Sequence, residues 1–95
     1  MKKPRNLVGP LVRELREKQG LTQPELVAKL NILGWDVSRE SLAKIEAQIR
    51  WVADFEIIKL AAGLGIEGTE LLRQSFVKGQ KRPQSLPVLL RKESA

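Results

Sequence analysis

Residues 21–47 read Leu21-Thr22-Gln23-Pro24-Glu25-Leu26-Val27-Ala28-Lys29-Leu30-Asn31-Ile32-Leu33-Gly34-Trp35-Asp36-Val37-Ser38-Arg39-Glu40-Ser41-Leu42-Ala43-Lys44-Ile45-Glu46-Ala47, and the fold turns on them. Thr22 and Glu25 have the T-x-x-E spacing in which side chain and backbone satisfy each other at a helix start. Pro24 fits inside that first turn, where a backbone N–H has no helical partner to lose. A helix is therefore predicted from Gln23 to about Leu33, burying Leu26, Leu30 and Leu33, with Gly34 placed to stop it. Trp35, Asp36 and Val37 then make a turn, and Ser38 is a good N-cap for a further helix over 38–47. Advancing about 100° per residue, Leu42, Ile45 and Ile49 gather on one side of that helix, the core side. Glu40, Ala43, Lys44 and Ala47 lie opposite. Two alanines on a solvent-facing side let it approach another surface closely, as a groove requires.

Outward from this stretch the pattern stays helical. Residues 1–9 read as a flexible basic arm. Pro10 suits the first turn of a helix, Val8, Leu11, Val12 and Leu15 repeat on one helical face, and Gly20 is placed to end it. Downstream, Asp54 can cap a helix whose Ile57, Ile58, Ala61 and Leu64 face inward, with Gly65 at its end. A short helix around Thr69–Gln74 adds Leu71 and Leu72. Beyond it Gly79, Pro83 and Pro87 sit among Lys, Arg, Gln and Ser, and Leu86-Pro87-Val88-Leu89-Leu90 is the apolar island of this tail. The fold class that follows is all-α: a compact five-helix domain over residues 10–74, preceded by the arm 1–9. A basic tail over 75–95 follows, largely disordered or a segment for a partner or a dimer.

Composition narrows the chemistry. Ninety-five residues, 42% hydrophobic and 29% charged, suffice for one modest core and not for two. Cys and His are both absent, which removes disulfides, thiolate nucleophiles, imidazole bases and the usual zinc ligands. No glycine-rich phosphate loop, nucleophile elbow or closely paired carboxylate motif appears. The expectation is a protein that is not an enzyme and carries no cofactor or metal. No apolar run approaches the roughly 18 residues that span a bilayer. The basic start is not followed by an apolar signal core, so a cytoplasmic location is expected.

Charge is unevenly placed along the chain, whose net is +6. Residues 1–72 hold 11 Lys/Arg against 10 Asp/Glu, a net +1, and residues 73–95 hold 6 against 1, a net +5. A near-neutral body with a basic tail suits a polyanion. A merely solvated tail accounts for the charge equally well.

The stretch from Val12 to Leu72 resembles the Cro/repressor-type (XRE-like) helix-turn-helix family. The resemblance rests on Val12-Arg13-Glu14-Leu15-Arg16, Leu21-Thr22-Gln23-x-x-Leu26, Val37-Ser38, Ile45-Glu46 and Leu60-Ala61-x-x-Leu64-Gly65-Ile66, taken in that order. It implies that the helix over 38–47 lies in the major groove of double-stranded DNA. Gln23 then matches the position that meets the DNA backbone, and Ser38, Arg39, Glu40 and Lys44 match groove-facing positions. Ala43 and Arg50 complete the expected DNA-binding set. Arg39 or Lys44 can donate to guanine O6/N7, and Glu40 can accept from cytosine N4. The resemblance also implies a structural ion pair between Arg16 and Glu46.

Three positions depart from the family pattern. Asn31–Asp36 makes a longer connection than the family's tight turn, by extension of the preceding helix or of the turn itself. Val27 replaces a small Ala, with Ala28 beside it able to compensate by a register shift. Ala47-Gln48 replaces Asn-Gly after the Glu. The chain therefore either turns at Gln48, in a left-handed conformation, or continues as helix through Ile49. Trp35 reads as a core or lid residue, and Trp51 as a cap on the core between the third and fourth helices.

The function expected is a transcriptional regulator that binds duplex DNA as a homodimer, paired through the fifth helix and tail. An interaction module on the same fold, antitoxin-like and binding a protein partner through the tail, is the alternative.

Overall fold

The computed structural model describes residues 3–78, and every element among them is helical: α1 (Gly9–Lys18), α2 (Gln23–Ile32), α3 (Arg39–Glu46), α4 (Asp54–Leu64) and α5 (Gly68–Lys78). The helix starts follow the local chemistry. Glu25 N donates to Thr22 Oγ at 3.2 Å while Thr22 N donates to Glu25 Oε1 at 2.8 Å, the reciprocal capping expected. Ser38 Oγ accepts from Ser41 N at 3.1 Å at the start of α3. Asp54 is not the cap of α4: Ala53 holds that position, and Glu56 reaches back to accept from Ala53 N at 3.0 Å.

Four helices end in one way. Gly20, Gly34, Gln48 and Gly65 have φ of 72°, 94°, 63° and 77°. At each, this residue's N–H bonds the carbonyl three residues back and the next N–H bonds the carbonyl five back, as in Gly34 N to Asn31 O and Trp35 N to Leu30 O. Glycine meets a left-handed φ without a Cβ penalty, and three of the four are glycine. Gln48 is the exception, and it terminates α3. The helix does not run on through Ile49, which is 53% exposed rather than part of the core stripe.

The buried set comprises Val8, Leu11 and Val12 with Leu26 and Leu30, then Val37, Leu42 and Ile45, then Leu60, Ala61, Leu64 and Leu71. Gly63 lets α4 approach α2, since a Cβ there would sit 2.8 Å from Leu30 Cδ2. Val27 packs against the core and Ala28 is exposed, so no register shift occurs.

Several expected core positions are displaced. Ile58 is 63% exposed, because Ile57, Leu60, Ala61 and Leu64 already complete the inward stripe and Ile58 falls about 100° from it. Leu72 lies outside in the same way beside buried Leu71. Leu33 is the C-cap of α2, where the backbone leaves the helix and turns the side chain outward. Trp51 does not cap the core: it is 70% exposed, and Val52 takes the inward position in that loop. Trp35 does pack against the core.

The connection from α2 to α3 is long in both senses. Asn31 and Ile32 extend α2, and residues 33–38 form the turn. Asn31 Nδ2 donates to Trp35 O at 2.8 Å, Lys59 Nζ to Leu33 O at 2.7 Å, and Val37 is buried. The turn is thus tied to both flanking helices.

Candidate nucleic-acid interface

The lower end of α3 is held by one buried network. Arg16 Nε donates to Glu46 Oε2 at 2.7 Å and Arg16 Nη2 to Glu46 Oε1 at 3.1 Å. Arg16 Nη1 donates to Leu21 O at 2.7 Å, so a single guanidinium joins α1, the α1–α2 loop and α3. The side chains are 10% and 4% exposed, and the Glu46 hydrogen bond raises the Arg16 pKa further above its ordinary value. This is the ion pair expected between Arg16 and Glu46. Gln23 joins it: its Nε2 donates to Glu46 Oε1 at 3.0 Å, which turns the expected backbone-contact residue partly inward.

The outer side of α3 carries the expected reading residues. Arg39, Glu40 and Lys44 are exposed, Ala43 is half-buried, and Leu42, Ile45 and Glu46 occupy the opposite, buried side. Ser38 stands exposed at the N-cap with its oxygen accepting from Ser41 N. Among the described residues Arg39, Glu40 and Lys44 take part in no ion pair. Nor does a hydrogen bond join their side chains to any other described residue.

Arg50 is placed differently from the others in the expected set. It grips Glu56 through two hydrogen bonds of 3.0 and 3.3 Å and donates to Trp51 O at 2.9 Å. The Arg50 hydrogen bond holds the Glu56 carboxyl below its usual range, and the Ala53 N–H assists, against the opposing effect of burial. Arg50 therefore fixes the α3–α4 loop.

A second network was not foreseen. Asn6, expected in a flexible arm, donates from Nδ2 to Ile45 O at 3.0 Å and Arg50 O at 2.9 Å, and accepts from Gly9 N at 2.8 Å. Arg5 N donates to Gln48 O at 2.9 Å, and Gln48 Nε2 donates to Asn6 O at 2.9 Å. Residues 5–9 are thereby clasped to the end of α3. The available signal was Asn6 three residues before Gly9, a spacing in which Asn satisfies a free N–H at a helix start.

No group of acidic residues that could hold a metal occurs among the described residues, and no helix there is long and apolar enough to cross a membrane. A helix-turn-helix family model matches residues 12–71. Neither the curated proteins nor the solved structures gave a match.

Proposed function

On the premise that the chain belongs to the Cro/repressor-type helix-turn-helix family, whose members bind DNA and are non-catalytic, we propose that it is a sequence-specific regulator of transcription. In this reading α3 enters the major groove of duplex DNA. The observation that carries it is the outer side of α3, where Arg39, Glu40 and Lys44 are exposed without ion-pair partners among the described residues. The helix that bears them is fixed by Arg16, Glu46 and the Ser38 cap. Arg39 and Lys44 donate to guanine O6 and N7, Glu40 accepts from cytosine N4, and Ala43 lets the backbone come close. Ser38 faces the groove at the start of α3, and the second N–H of the Gln23 amide serves the flanking phosphate. Arg50 acts through the loop it holds.

One such domain reads few base pairs, so two copies reading half-sites about one helical turn apart complete the proposal. Leu72 and Phe76, one helical turn apart on α5, are 39% and 40% exposed, an apolar strip suited to pairing. The tail over 79–95, with its apolar island, lies outside the described residues.

Selection from a random duplex pool tests the reading. Arg39→Ala and Lys44→Ala should each weaken the selected site by roughly 1–3 kcal/mol if the contact is bidentate to a base. Unchanged affinity in both variants removes α3 as the reading helix.

The exposed Trp51, Phe55 and Ile58, at 70%, 65% and 63%, favour a second reading as a protein-interaction module. Retention on mixed-sequence duplex DNA at low salt separates the two. Loss of retention with rising salt supports the regulator, and no retention at any salt supports the module.

A further inference from the structure

We propose that Lys3 and Arg5 form a second DNA contact, gripping backbone phosphate beside the bases read by α3, and that Asn6 is the residue that positions them. The proposal rests on α3 as the major-groove helix and extends the DNA-binding surface to residues outside the matched region 12–71.

The clasp is a built feature of the fold. Every strong hydrogen-bonding atom of the Asn6 side chain is engaged: Nδ2 by two carbonyls from the α3 end and its following loop, Oδ1 by Gly9 N. The backbone of Arg5 and Asn6 is held from the other side by Gln48. Gly9 packs so closely on the Ile45 carbonyl that an added Cβ would overlap it, which leaves this segment no room to slide. Asn6 has no donor left for DNA, so its part is to place its neighbours.

The neighbours it places are cationic. Lys3, Pro4 and Arg5 form one wall of a cleft of about 400 Å³ whose other wall is Ala47, Gln48 and Ile49. Ala47 continues the outward stripe of Glu40, Ala43 and Lys44 at steps of three, one and three residues, so the cleft adjoins the proposed reading side. Charge points the same way. Among the described residues Arg13, Arg16, Lys18, Arg50, Arg73 and Lys78 are paired with carboxylates, whereas Lys3, Arg5, Arg39 and Lys44 are not. The remaining cations without carboxylates, Lys29 and Lys59, sit by Leu33 at the α2–α4 contact. Four unpaired cations thus collect along α3 and its clasp. The clasp fixes the backbone of this segment, while no described residue holds the side-chain ends of Lys3 and Arg5, so they neutralise phosphate without the fixed geometry that base readout needs.

The experiment measures affinity of the full chain for mixed-sequence duplex DNA across a salt series. Lys3→Ala/Arg5→Ala should lower the slope of log K against log salt by about two, since each phosphate contact contributes about 0.9. The site selected from a random pool should stay the same. Asn6→Ala should weaken binding in the parent chain and have no further effect in the Lys3→Ala/Arg5→Ala background. An unchanged slope in the double variant, with the parent still binding, overturns this proposal and leaves α3 in place. A changed preferred sequence overturns the assignment to phosphate. Equal weakening by Asn6→Ala in both backgrounds overturns the positioning role, because it would mean that Asn6 acts on α3 alone. A parent chain that binds no duplex overturns this proposal together with the DNA reading on which it rests.

Discussion

Gln48 stands at φ 63° and donates from its side-chain amide to the backbone carbonyl of Asn6 at 2.9 Å. The left-handed turn and the hydrogen bond act in opposite directions on any substitution there. A Cβ at a left-handed position costs on the order of 1 kcal/mol, which Gly avoids. The hydrogen bond contributes a net of about 1 kcal/mol, which Gly also loses. Gln48→Gly should therefore leave stability within about 0.5 kcal/mol of the parent as these two effects cancel. Gln48→Ala keeps the strain and loses the bond, so it should be less stable by about 1 kcal/mol. Urea unfolding of both variants decides it, and equal stabilities would mean that position 48 carries no backbone strain.

Arg16 and Glu46 call for a different comparison. Both side chains are nearly buried, and each has further hydrogen bonds that depend on the pair. Removing one member leaves an uncompensated buried charge, whereas removing both does not. Arg16→Met should cost about 3–5 kcal/mol, and Arg16→Met/Glu46→Leu should recover much of that loss. A single variant within about 1 kcal/mol of the parent would show that the pair does not hold α3.

The contrast between these two networks shows what a sequence makes legible. Thr22 with Glu25, and Ser38 with Ser41, are bonds across three residues, so spacing alone reveals them. Arg16 and Glu46 are 30 residues apart and were legible only through a family pattern that fixes their partnership. Asn6 lies before that pattern and bonds carbonyls 39 and 44 residues away, which no local rule foretells. Arg50 misled for a related reason. Its partner Glu56 is six residues on, a separation that no helix brings together and that the Ala53 turn does. Core positions failed where adjacent apolar residues competed: Trp51 with Val52, and Leu71 with Leu72. A shift of one residue decides which of two is buried, and hydropathy does not separate them.

Glu56 sets a pH dependence whose sign follows from its partner. The Arg50 hydrogen bond lowers its pKa in the folded chain relative to an unfolded value near 4.3. Its stabilisation is therefore fully present above about pH 4.3 and is lost as pH falls through the lower folded value. Glu56→Gln should be less stable than the parent at pH 7, by about 1 kcal/mol, with the gap narrowing on acidification. Glu70, held to about 2 by its hydrogen bond from Arg73, is common to both chains and drops out of the difference. A gap that stays constant from pH 7 to pH 3 would mean that Arg50 and Glu56 do not interact in solution.

The end of α5 changes where the basic tail should be cut. The sequence pattern ends the fifth helix at Gln74, yet the helix continues to Lys78, Ser75 is buried, and Lys78 Nζ lies 2.7 Å from Glu14 Oε1 on α1. The Lys78 hydrogen bond is also the leading cause of the lowered Glu14 pKa, so α5 is tied back to α1 at this end. Residues 79–95 hold four Lys/Arg and one Glu, enough to add phosphate contacts without reading sequence. Deleting 79–95 should therefore flatten the salt dependence of DNA affinity and keep the selected site, and, with the Lys78 contact retained, leave a higher unfolding midpoint than a deletion from residue 75. Deleting 75–95 removes the Lys78 contact, buried Ser75 and the last turn of α5 as well, so it should lower that midpoint while producing a similar change in salt dependence. Sedimentation of the shorter deletion checks the remaining possibility. A parent that sediments as a dimer and a 79–95 deletion that sediments as a monomer would make the tail an assembly element rather than an electrostatic one.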